Sequence, residues 1–107
     1  MPTYNKLVRD RIPEIIKNSG KDLKTETLNQ DRYILELKKK LFEEVEEYQA
    51  AATEDDALEE MADVLELVHA LVHVHGSSME EVEKIRAEKA EKRGGFDEKV
   101  FLIEVED

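Results

Sequence analysis

Apolar residues recur at steps of three and four through most of the chain, the spacing of one face of a helix. The clearest run is Ile34, Leu37, Leu41, Val45, Tyr48 and Ala52. It predicts an amphipathic helix capped by Asn29 or Asp31, with Tyr48 packed on its core stripe. Thr53 has the chemistry of the next N-cap, and the acids at 54–56 suit the positive end of a helix dipole. The helix predicted from about Glu54 to His75, closed by Gly76, carries two apolar stripes. Leu58, Met61, Leu65, Val68 and Val72 form one, and Val64, Leu67, Leu71 and Val74 form a second, nearly opposite. Only Glu59, Glu66 and His73 are left to face water. A helix that is apolar nearly all round is buried. In so short a chain, burial on two sides predicts that one face meets a second subunit.

Ser78, with Glu81 three residues on, forms a capping-box pattern and opens a further helix that ends at Gly94-Gly95. At the other end an extended arm leads into a short helix from about Asp10 to Asn18. Pro13 sits in its first turn and Gly20 closes it. Residues 22–28 alternate weakly and fit a short strand or a loop, and residues 99–105 are β-prone and could pair with them. Four Gly and two Pro favour long helices with short connections, and no repeat or low-complexity linker divides the chain. The expectation is one all-α domain over residues 1–107. It is an antiparallel helical bundle with a short extended N-terminal arm, room for short β segments at 22–28 and 99–105, and an oligomeric assembly.

Composition narrows the chemistry. A chain of 107 residues buries about 60–70% of its unfolded surface, enough for one marginal core that oligomerisation would reinforce. Asp and Glu number 27 against 16 Lys and Arg, a formal net charge of −11. That balance disfavours a nucleic acid polymer or an anionic membrane as partner, but admits one nucleotide bound through divalent cations. The absence of Cys excludes disulfide scaffolds, thiolate zinc sites and cysteine nucleophiles. Three Tyr, three Phe and no Trp argue against an aromatic platform for single strands. Residues Met1 to Arg11 lack the apolar core of a signal peptide, and Met61 to His75 is too short and too polar to span a bilayer. A cytoplasmic protein without a membrane partner is expected.

The candidate chemistry lies in four acids. Glu60 and Asp63 fall on the second apolar stripe, where carboxylates are rare unless paired or metal-bound. On the preceding helix Glu44 and Glu47 are also three apart, so each pair aims two carboxylates at one place. Each pair is centred about eight residues from the turn at Ala52–Thr53, so antiparallel packing brings the pairs level. Such a cluster repels itself unless protonated or neutralised. Mg²⁺ takes carboxylate oxygens and leaves positions for phosphates, and supports displacement at phosphorus. The competing reading makes these acids part of solvated, Glu-rich helix faces. His69 and His73, with His75 nearby, have a spacing that binds transition metals, but a core or interface role for His69 is favoured. Phe42 and Tyr48 flank the acids and could stack a base. Ser77 and Ser78 read as a cap.

The pattern Glu43-Glu44-x-x-Glu47 followed by Glu59-Glu60-x-x-Asp63 resembles the all-α nucleotide pyrophosphatase superfamily. The run Tyr-Asn-Lys-Leu-Val-Arg-Asp-Arg-Ile-Pro at 4–13 and Lys-Arg-Gly-Gly-Phe at 92–96 resemble its MazG-like, phosphoribosyl-ATP-pyrophosphohydrolase-like branch. The resemblance implies Mg²⁺-dependent cleavage of a nucleoside triphosphate to the monophosphate and pyrophosphate, with Mn²⁺ as a substitute ion. It implies metal ligation by Glu44, Glu47, Glu60 and Asp63, homodimers or homotetramers, and a house-cleaning role on non-standard nucleotides. Glu44 or Glu47 is the candidate general base. Asn5, Lys6 and Arg9 are candidates to hold the substrate, as are Lys92, Arg93, Gly94 and Gly95, where successive glycines free backbone N–H groups for an anion. The plainer readings are a charged arm and a helix C-cap. The rival functions are a helical module that binds metal or nucleotide without hydrolysis, and an acidic bundle that partners other helices.

Overall fold

A computed structural model describes residues 2–107. It contains four helices, α1 (Ile12–Asn18), α2 (Gln30–Ala50), α3 (Glu54–Val74) and α4 (Met79–Arg93), and no strand among the described residues. The expected pairing of 22–28 with 99–105 is therefore corrected: both segments are irregular. A β-prone segment forms a strand only where a partner supplies the ladder, and neither segment reaches one in the single chain.

The caps explain the boundaries. Asn29, Thr53 and Ser78 each accept a hydrogen bond from a backbone N–H three residues on, from Arg32 (2.9 Å), Asp56 (3.1 Å) and Glu81 (3.2 Å). These bonds satisfy donors that the first helical turn would leave orphaned. Between α2 and α3 only residues 51–53 intervene. Gly20 and Gly94 take φ of 86° and 82° beyond their helices, a left-handed backbone that an L side chain resists.

The principal packing is α2 on α3, and α4 touches α3 more lightly. The stripe of α2 packs on α3, with Leu37 (3% exposed), Leu67 (7%) from the second α3 stripe and Val72 (8%) from the end of the first as the buried apolar core. Ile34, Leu41, Val64, Val68, Leu71 and Val74 are half-buried, and the remaining expected core positions stand open. On α2 the stripe leaves cover at Val45 and Tyr48, which are exposed, so Tyr48 is not a core residue of the single chain. On α3 the first stripe is uncovered at Leu58, Met61 and Leu65, and His69 is exposed. The accessible surface is 10117 Å², about 4,000 Å² above the roughly 6,100 Å² of a compact monomer of this mass. The radius of gyration is 18.5 Å, against about 13 Å for a compact domain of this length. No helix among the described residues is long and apolar enough to cross a membrane.

Candidate metal centre

The seam between α2 and α3 changes character toward the connection at 51–53. There Glu44, Glu47 and Glu60 each place one carboxylate oxygen within 4.8 Å of the other two. Glu44 is 8% exposed, Glu60 half-buried and Glu47 exposed. The paired spacing on two facing helices delivers this convergence. Asp63, one turn further along α3, stands beside the trio, and its Oδ1 accepts a 2.7 Å bond from Arg9 Nη2.

Glu44 Oε2 and Glu60 Oε2 are both buried, and neither has a hydrogen-bond partner among protein donors. Two carboxylates can share such a place only through a proton or a cation. Burial pushes the Glu44 carboxyl up from 4.5 to about 7, and the hydrogen bond with Glu60 and the charges of Glu47 and Asp63 add to the shift. For Glu60 the bond with Glu44 acts downward, but loss of solvation and the neighbouring carboxylates outweigh it, so its pKa is also raised. The crowding of these acids thus raises both carboxyls above their ordinary value. The nearest cation on the same helix, Lys40 Nζ, is 3.9 Å from Glu44 Oε1, beyond hydrogen-bond length. An oxygen-only donor set with two unsatisfied buried oxygens suits a hard divalent ion.

An open cavity of about 280 Å³ adjoins the trio and is lined by Arg9, Lys40, Glu44, Asp63 and Glu66 over an apolar floor of Val8, Ile12 and Leu67. The arm before α1 thus forms one wall. The Arg9–Asp63 pair is largely exposed, with side chains 56% and 39% accessible. Exposed pairs contribute only about 0.2–1 kcal/mol, so this one is readily exchanged.

The structure joins some predicted site residues and separates others. Glu44, Glu47 and Glu60 converge, with Asp63 and Arg9 alongside. Lys6 instead lines a small surface depression with Lys39, Lys40 and Glu43. Asn5, Lys92, Arg93, Gly94 and Gly95 do not line the cavity. Lys92 and Arg93 occupy the last turn of α4, and Gly94 N–H donates to the Ala90 carbonyl at 2.8 Å, the geometry of a C-cap. The three His residues are exposed and join no metal-ligating cluster among the described residues. Sequence reasoning missed Lys40, whose side chain is 22% accessible and lies between both cavities. Its place four residues before Glu44 was a signal, but Lys38-Lys39-Lys40 reads as a solvated run.

No family model matches the chain, and no solved structure matches it. The chain is 55% identical over 53 residues to an uncharacterised protein of Mycolicibacterium smegmatis. That match covers 50% of this chain and 54% of the relative, so it spans about half of each.

Proposed function

We propose that the chain is a Mg²⁺-dependent nucleoside triphosphate pyrophosphohydrolase of the MazG-like, phosphoribosyl-ATP-pyrophosphohydrolase-like branch. The observation that carries this reading is the convergence of Glu44, Glu47 and Glu60, with two buried oxygens unsatisfied. The motif resemblance at 4–13, 43–47, 59–63 and 92–96 supports it. In this reading α2 and α3 run antiparallel, which is what a three-residue connection favours. A homodimer or homotetramer covers the surplus surface of α2 and α3, with apolar Leu58, Met61 and Leu65 at the contact.

Glu44, Glu47 and Glu60 would hold Mg²⁺, and Asp63 would complete the set once Arg9 leaves it. When bound, the ion neutralises the carboxylates and draws charge from the phosphate oxygens. Arg9, released from Asp63, then faces those phosphates across the cavity, and Lys40 adds a second positive charge at its wall. Glu47 is the exposed member of the trio and has room to accept the proton of the attacking water. The water oxygen bonds to phosphorus, the anhydride between the α and β phosphates breaks, and pyrophosphate leaves. Standard, deoxy, oxidised and deaminated triphosphates, each with Mg²⁺ or EDTA, test the proposal. Metal-dependent release of pyrophosphate and monophosphate is expected. Binding without turnover would favour the non-catalytic module, and release of free phosphate alone would contradict the bond assignment.

A further inference from the structure

Residues 94–107, which follow α4, carry Val100, Phe101, Leu102 and Ile103 in succession, with Phe96 and Val105 on either side. All six are exposed, Phe96 at 97%, Phe101 at 86% and Ile103 at 82%. A run of consecutive exposed apolar residues marks a contact surface. The segment is also acidic, with Asp97, Glu98, Glu104, Glu106 and Asp107 against Lys99 alone.

Charge separates two of the uncovered apolar helix faces. The α3 face of Leu58, Met61 and Leu65 is bordered by exposed Glu54, Asp55, Glu59 and Glu66. An acidic segment is repelled there. The α2 face turned away from α3 presents Leu35 (65% exposed) and Phe42 (72%) at a spacing of two turns. Between them lie exposed Lys38 and Lys39, exposed Arg32 and Glu43 flank Lys39, and Asp31 and Glu46 mark the ends of the face. Apolar anchors around a basic centre match an apolar run followed by Glu104 and Glu106.

We propose that segment 96–107 of one chain docks in trans on the Leu35–Lys38–Lys39–Phe42 face of a second copy. Phe101 and Ile103 pack beside Leu35 and Phe42, and Glu104 and Glu106 pair with Lys38 and Lys39. The surplus surface points to a second copy as occupant. The surplus of about 4,000 Å² over a compact monomer far exceeds what one helix face hides. The docking is independent of what the acid cluster binds.

Because the chain has no Cys, engineered disulfides read the contact directly. A full-length chain with Lys39→Cys is mixed with one carrying Leu102→Cys and oxidised mildly. A covalent dimer of the two is expected, and replacing Lys39→Cys by Ala62→Cys on α3 should lower its yield at least tenfold. The double substitution K38E/K39E should lower cross-linking of Leu35→Cys to Leu102→Cys about tenfold, and adding E104K/E106K to both chains should restore it. All these side chains are exposed, so folding is not at stake. Equal yield at Ala62, an intrachain disulfide when one chain carries both cysteines, no covalent dimer, or no rescue by the charge swap would each overturn the proposal.

Discussion

The α2–α3 seam has two halves built on opposite principles. Away from the connection, Leu37, Leu67 and Val72 are buried in apolar contact. Toward it, Glu44, Glu47 and Glu60 are pressed together and two of their oxygens are left unsatisfied. The first half supplies the stability that the second half consumes. A cluster of like charges survives in a fold only where adjacent packing over-determines it. The difference teaches where to look for chemistry in this molecule: at the place where the packing rule is broken.

That contrast can be broken from either side. The largest effect belongs to the apolar half. Leu67→Ala or Leu37→Ala should lower stability by about 2–5 kcal/mol, read by denaturant unfolding, without altering metal affinity in the fraction that remains folded. The acids should behave the other way. Glu44→Gln and Asp63→Asn should lower pyrophosphate release by about 10²-fold or more, while the helical circular dichroism of the metal-free protein holds. Turnover unchanged in both variants would sink the proposed activity.

Acidity sharpens the comparison further. The Glu44 carboxyl is raised from 4.5 to about 7 in the folded chain, chiefly by burial. Its contribution to stability is therefore complete below about 4.5 and lost as pH rises through about 7. Melting temperature of the metal-free protein should fall across that window, and Glu44→Gln should flatten the slope. Mg²⁺ affinity should rise over the same window, because ligands must shed protons to bind. The smallest effect is at the rim. Arg9→Ala removes one exposed ion pair and should cost less than about 1 kcal/mol of stability, but should raise the KM for a triphosphate if Arg9 turns to the phosphates.

The helices were legible because their ends depend on local chemistry. Asn29, Thr53 and Ser78 cap their own helices, and Glu44, Glu47 and Glu60 converge, with Asp63 alongside, because spacing and a short connection bring them level. Tyr48 lies open in the single chain because a helical wheel ranks positions around an axis and does not say how far along it a neighbour extends; His69, read as a core or interface residue, is not part of the single chain's core. The short β segments for which 22–28 and 99–105 left room depended on a pairing that propensity alone cannot supply. Arg9 was read as a ligand of phosphate, yet in the single chain it rests on Asp63. Lys40 was lost in a lysine run, since only packing distinguishes it from Lys38 and Lys39.

In the proposed function Glu44 marks a metal site and is not merely a protonated acid in a seam. Calorimetric titration of Mg²⁺ into the wild-type chain and into Glu44→Gln, in buffers of different ionisation enthalpy at pH 6.5, tests it most directly. A metal site predicts saturable binding with proton release in the wild type and a loss of both in the variant. Equal binding by the two chains, or none by either, would contradict it.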